Sequence, residues 1–281
     1  MIPQAFEYSR PATLAEALQL LADGEKKILA GGMSLIPMMK LRLAAPEHLV
    51  DLGRVPGLAA IIEEDGIVRI GALTTHYQIE SSTLLLGRCP LLAVTAAHIG
   101  DVQVRNVGTI GGSVAHNDPS ADYPAALVAL EAQVKVASTS GERTAAIDDF
   151  FVDTLTTSLE AGEIVTEILV QAEEAGTGVS YHKMVQPASG FAMVGVAARV
   201  RKTGGKVTFA RIGVTGLSNK AYRATASEEA LLATGDVKQA AALVAEGVDA
   251  NSDLHASAEY RTHCARIYAA RAIAEALSRA S

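Results

Sequence analysis

Cysteine is nearly missing from this chain of 281 residues: Cys89 and Cys264 stand far apart, and neither belongs to a C-x-x-C pair. That excludes a disulfide framework and a thiolate zinc site, and it points to a reducing compartment. Long apolar runs are missing too. The longest, near residues 191–198, is far too short to span a bilayer, and Met1-Ile2-Pro3-Gln4-Ala5-Phe6-Glu7 lacks the basic and apolar regions of a leader. A soluble cytoplasmic protein is expected, so any membrane association must come through another chain. No basic stripe exists either: 24 Lys and Arg against 31 Asp and Glu leave a charge of -7, spread without clustering. A phosphate-backbone binder gathers its cations on one face, so nucleic acid is not an expected partner. What is present is globular: 49% hydrophobic residues with 24 Gly and 9 Pro. The length suits about two domains, or one large domain with appended lobes.

Residues 13–23 predict an amphipathic helix, with Thr13 and Glu16 at capping-box spacing and Gly24 as its stop. A strand at 27–30 then runs into Gly31-Gly32-Met33-Ser34, and Ser34 is placed to cap a helix over 35–43 that tolerates Pro37 in its first turn. Strands at 48–52 and 67–73 and a helix at 90–98 indicate a mixed α/β lobe. No period fits residues 100–122, which read as one long structured loop, the kind that carries function. A helix at 123–130 and strands at 133–137, 143–147 and 164–170 follow. Residues 173–178 mark a boundary, giving domains 1–177 (lobes about 1–56 and 57–177) and 178–281. The second domain reads as strands 179–185, 191–201 and 206–214, with a hairpin at Thr203-Gly204-Gly205, and three closing helices. The last, over 256–279, sets Tyr260, Cys264, Ile267, Ala270, Ala274 and Leu277 on its expected packing face.

Two segments have the chemistry of an anion cradle: Ala30-Gly31-Gly32-Met33-Ser34-Leu35 and Thr109-Ile110-Gly111-Gly112-Ser113. Paired glycines allow positive φ and leave successive backbone N–H groups free to converge, and each pair is followed closely by a hydroxyl. One such turn means little, whereas two suggest a diphosphate held from both sides. Neither G-x-G-x-x-G after a strand nor G-x-x-x-x-G-K-[ST] occurs, which disfavours a Rossmann dehydrogenase and a P-loop NTPase. His116, Asp118 and Asp122 lack the spacing of a metal site and are separated by the turn at Pro119, so no metal is expected. Asp118 is expected to shape that turn. Asp122 either caps the next helix or accepts hydrogen bonds from ligand hydroxyls.

The stretches Ala30 to Leu43 and Gln103 to Asp122 resemble the two FAD motifs of the flavoprotein medium subunit of aerobic carbon monoxide dehydrogenase and related molybdenum hydroxylases, the xanthine dehydrogenase family. Nearly the whole chain is similar, including Phe6 to Pro11 and Ala258 to Arg261, although Val102 and Val107 replace the Pro and Arg of many members. The resemblance implies an α+β, vanillyl-alcohol-oxidase-like (PCMH-type) fold: two α/β lobes around FAD and a C-terminal lobe with a three-stranded antiparallel sheet and helices. It places the diphosphate on the two glycine segments, with Thr109 and Ser113 as donors, Asp122 near ribityl or ribose hydroxyls, and Tyr181 and Lys183 beside the isoalloxazine. There a Lys can tune the flavin by stabilising negative charge on its reduced form. No residue of the chain is expected to be catalytic in its own right.

Two cysteines cannot supply the four thiolates of a [2Fe-2S] cluster. By the resemblance, iron-sulfur clusters sit on a small partner subunit and a molybdenum-pterin cofactor on a large one, as a dimer of heterotrimers that passes electrons through FAD to an external acceptor. The alternatives are a stand-alone FAD oxidase or dehydrogenase, for which no catalytic base is evident, and a nucleotide-diphosphate module without redox chemistry. A Cβ branch at Gly32 or Gly111 is expected to remove the flavin while leaving the chain folded.

Overall fold

The computed structural model describes residues 2–281 as three larger sheets and a two-stranded ribbon, Phe151–Asp153 with Thr156–Thr157, with helices packed between and over them. The first sheet is small and parallel, with His48–Asp51 in the middle between Glu7–Ser9 and Lys27–Leu29. Helix Leu14–Leu21 covers it through Ala17, Leu18 and Leu21, and starts as its sequence dictates: the Glu16 amide donates to Thr13 Oγ1 at 3.2 Å. Parallel strands direct their carboxyl ends to one edge, where ligands of open α/β sheets bind. Lys27–Leu29 ends there, directly before Gly31 and Gly32.

The second sheet has five antiparallel strands in the order Ile61–Glu64, Ile67–Gly71, Ile164–Gln171, Gln133–Ser138, Gly141–Ala146. Helices Pro90–Ala97, Ile110–His116 and Tyr123–Ala129 contribute to its core, in which Leu91, Leu92, Ile110, Val114 and Leu127 are fully buried. Residues 100–122 are therefore not a loop. They form helices Val102–Val107 and Ile110–His116, the first capped by Asp101, whose carboxylate accepts from the Val104 amide at 2.9 Å. Caps and the burial of Ile110, Gly111 and Val114 hold these short helices, so no amphipathic period marks them. Asn117 ends the second in the left-handed region, and its amide donates to the carbonyls of Asp153 and Thr156.

The third sheet consists of Gly178–Val185, Ala192–Thr203 and Lys206–Thr215, plus a two-residue fourth strand, Tyr222–Arg223, that the sequence pattern does not mark. Gly204 and Gly205 both have positive φ, as a two-residue hairpin requires. Helix Ala258–Arg279 lies on this sheet with Arg261, Cys264, Ala265, Ala269, Ala272, Ile273 and Ala276 inward. Of the expected face only Cys264 is fully buried, while Tyr260 and Ile267 are exposed. The small alanines win because they let the helix axis approach the sheet closely, and Arg261 is held inward by Asp253 and the carbonyls of Met193 and Gly216. Among the described residues no helix is long and apolar enough to cross a membrane.

Candidate functional site

A cavity of about 580 Å³ opens where the three sheets meet, within the range of small-molecule and cofactor sites. Both glycine segments line it and touch each other. A Cβ on Gly31 would strike the Val107 carbonyl and lie 2.9 Å from Gly108 Cα, and one on Gly112 would come within 3.8 Å of Ala30 Cβ. The sequence-derived residues Ala30, Gly31, Gly32, Met33, Ser34, Leu35, Thr109, Gly111, Gly112, Ser113 and Asp122 all face the cavity, whereas Ile110 points into the core.

The two segments are not equivalent. In the second, the Ile110 amide donates to Thr74 O at 3.1 Å, that of Gly111 to Ala72 O at 2.9 Å, and that of Gly112 to Thr109 Oγ1 at 3.2 Å. Its helix start is thus satisfied by protein, and the hydroxyls of Thr109 and Ser113 are what remain for a ligand. In the first, no amide from Gly31 to Leu35 donates to an acceptor among the described residues, and Ser34 makes no capping bond. Gly32, at φ 71°, bends this stretch so that its donors are available together.

Tyr181 and Lys183 reach Asp122 and do not line the cavity themselves. Tyr181 Oη donates to Asp122 Oδ1 at 2.6 Å, and Lys183 Nζ lies 3.0 Å from the same oxygen. The ammonium also donates to His98 O at 2.6 Å and Gly190 O at 2.8 Å, so its three protons are all placed. Side chains of this pair are only 3% and 4% exposed. Burial pushes the Asp122 carboxyl above its ordinary range, opposed by the Lys183 charge and by hydrogen bonds from Tyr181 and Lys183. Asp122 heads helix Tyr123–Ala129 without capping it, while Asp118 does shape its turn, accepting from the Ser120 amide at 2.8 Å.

The cavity also takes residues that the sequence does not mark for binding: His76, which reads there as an ordinary surface or core histidine, the turn Ser189 to Phe191, and the stretch from Leu159 to Val165. Phe191 is half-exposed where the C-terminal sheet meets the cavity. Nothing in residue spacing marks these positions, because they arrive from distant strands and turns. His76 is buried, and its pKa is pushed down to about 4, mainly by desolvation and further by the Arg105 charge. A histidine held neutral in the fold protonates first in the unfolded chain. Its contribution is therefore complete above the unfolded value near 6.5 and is lost as pH falls toward about 4. The chain is expected to lose about 2 kcal/mol between pH 7 and pH 5 from this group. Urea midpoints of the wild type and His76→Gln at both pH values check it, since the variant should lack that part of the slope.

A bent backbone with free amides, an apolar-walled cavity and polar groups at intervals fit a dinucleotide with a flavin ring. Residues 4–170 match the family model described as the FAD binding domain in molybdopterin dehydrogenase, and residues 179–276 match the CO dehydrogenase flavoprotein C-terminal domain. The chain belongs to this family of FAD-binding subunits. It is 41% identical to the carbon monoxide dehydrogenase medium chain of Hydrogenophaga pseudoflava, over 99% of both chains. It is 38% identical to the 6-hydroxypseudooxynicotine dehydrogenase complex subunit alpha of Paenarthrobacter nicotinovorans, covering 100% of this chain and 97% of the relative. A solved structure of the Hydrogenophaga pseudoflava enzyme superimposes with a TM-score of 0.96 at 43% identity over the full length of both chains.

Proposed function

We propose that this chain is the FAD-carrying electron-transfer subunit of a molybdenum hydroxylase complex. The observation that carries the reading is the unpaired amide stretch Gly31 to Leu35, set opposite Thr109 and Ser113 in a chain of this family. Bound FAD supplies the redox carrier, accepting electrons from [2Fe-2S] clusters of a small subunit and releasing them to an external acceptor. The amides from Gly31 to Leu35 hold the diphosphate, with Ser34, Thr109 and Ser113 adding hydroxyl donors. Asp122 accepts from ribityl or ribose hydroxyls, and Tyr181 and Lys183 act through it by fixing its carboxylate. Apolar walls and Phe191 limit water.

Residues 1–177 form the cofactor domain in this reading and 178–281 the lobe that closes it. The chain's own cysteines are both buried and unpaired, and burial pushes the Cys89 thiol up to about 12, so the clusters and the molybdenum-pterin cofactor belong to partner chains. A cytoplasmic complex accords with free thiols. The substrate is chosen elsewhere in the complex: the two relatives above are about equally similar to this chain, yet one is named for carbon monoxide and the other for 6-hydroxypseudooxynicotine.

The test is electron flow in the purified complex before and after FAD removal. Acid precipitation should release one FAD per copy of this chain. The deflavinated complex should still let substrate bleach the iron-sulfur absorbance, while turnover with the external acceptor stops and returns on adding FAD. Absence of flavin, or full-rate substrate oxidation by this chain alone, would overturn the assignment.

A further inference from the structure

The least explained polar group at the cavity is His76. Its residue is 5% exposed, yet neither ring nitrogen makes a hydrogen bond to any of the described residues. Nδ1 is sealed off without a partner, in a region where Thr74 Oγ1 and Tyr123 Oη are buried and unpaired as well. Nε2 has no partner either but is not sealed off in this way, and His76 lines the cavity. Unpaired buried nitrogens are rare in folded proteins because losing water without replacement is costly.

The ring is also held in place from several sides. Thr75 caps helix His76–Ser81 with a full capping box, and the His76 amide donates to Gly108 O at 2.9 Å. Tyr123 packs edge-on with ring centroids 5.3 Å apart. Gly108 makes room for the imidazole, because a Cβ there would lie 2.6 Å from Nε2. Gly108 in turn packs against Gly31, so His76 stands one residue behind the junction of the two glycine segments. A packing role would be served as well by an apolar ring, whereas a fixed imidazole with one open nitrogen is built to meet a polar ligand atom.

We propose that His76 is an FAD-binding residue, its Nε2 hydrogen-bonding to a polar atom of the cofactor. The inference rests on the FAD reading above. Burial keeps the imidazole neutral at physiological pH, so the contact adds no charge to the cavity. The bond forms only when the cofactor is in place, which links filling of the site to satisfaction of a buried group.

The test uses the full-length chain stripped of flavin, with FAD binding followed by quenching of flavin fluorescence. His76→Phe, which keeps a ring but no nitrogen, is expected to raise the Kd tenfold or more. His76→Gln, whose amide nitrogen reaches nearly as far as Nε2, should stay within about threefold of wild type. A midpoint potential or flavin absorption shifted in a partly loaded Phe variant assigns the contact to the isoalloxazine. An equal loss of ADP affinity, with unchanged flavin spectrum, assigns it to the diphosphate half. Histidine 15N shifts of the wild type give a readout independent of folding of the variants: one imidazole should change on adding FAD and be missing from the His76→Gln spectrum. Equal FAD affinity in wild type and His76→Phe, equal weakening in Phe and Gln variants, or no imidazole shift overturns the inference. Failure of the wild type itself to bind FAD would instead reject the flavoprotein reading.

Discussion

Lys183→Met is expected to destabilise the chain by about 3–5 kcal/mol, because it leaves the Asp122 carboxylate buried without its counter-charge. Three oxygens lose a donor together: Asp122, His98 O and Gly190 O. These belong to the head of one helix, the end of another and the turn before Phe191, so the substitution loosens the walls of the cavity where they converge. Asp122 can lessen the penalty by taking a proton. Its carboxyl is already pushed upward by burial, and without Lys183 the opposing pull is gone. The deficit should therefore be fully present above the raised folded pKa and shrink as pH falls toward the ordinary carboxylate value. Asp122→Asn combined with Lys183→Met removes both charges and should recover much of the loss. Urea unfolding of the wild type, the single variants and the double variant at pH 7 and pH 5 measures all of this. A loss under about 1 kcal/mol for Lys183→Met would mean that the pair behaves as an exposed one.

Valine at Gly32 and valine at Gly111 should have opposite outcomes, although both glycines sit in matching sequence contexts. Gly111 does not have positive φ; it is where helix Ile110–His116 rests on the end of strand Ile67–Gly71. A Cβ there would lie 2.7 Å from Ala72 O, the acceptor of the Gly111 amide. Valine must push the helix off the strand, at a cost of about 3 kcal/mol, the upper end for overpacking. Gly111→Val should thus lower the thermal midpoint sharply, against the expectation from sequence that the chain stays folded. Gly32 is at φ 71°, and the atoms nearest an added Cβ are the flexible ends of Ile36 and Leu29. Valine there costs about 1–3 kcal/mol in backbone strain and re-aims the free amides. Gly32→Val should melt as a folded protein that retains no flavin. Flavin content and thermal unfolding, measured side by side, separate the two cases. Normal FAD stoichiometry in Gly32→Val would remove the first segment from the cofactor site.

The contrast between these glycines shows how far local pattern reaches. Pairs of glycines followed by hydroxyls locate a cradle because backbone chemistry is written in residue type. Which amides stay free is a different matter, decided by Thr74 and Ala72, whose carbonyls arrive from another strand end and occupy the second segment's donors. Helix Ala258–Arg279 was legible as a helix, yet its inward face was not, since close approach of the sheet selects alanines over larger apolar residues. His76 reads from sequence as an ordinary surface or core histidine for a similar reason: a lone histidine carries no binding signal until Gly108 and Tyr123 are packed around it.

Residue pattern alone reveals the order of most long strands and helices and the two glycine segments, because periodicity and turn chemistry are local properties, and the resemblance carried by two extended motifs adds the cofactor class. Its two cysteines likewise exclude a four-thiolate iron-sulfur cluster from this chain, since ligand counting needs no geometry. Packing alone brings Lys183 and Tyr181 to Asp122, leaves the amides of Gly31 through Leu35 without acceptors, and sets His76 in the cavity wall with Nδ1 unpaired. Those are relations between residues tens of positions apart, and they exist only once the sheets and helices have been packed around one cavity.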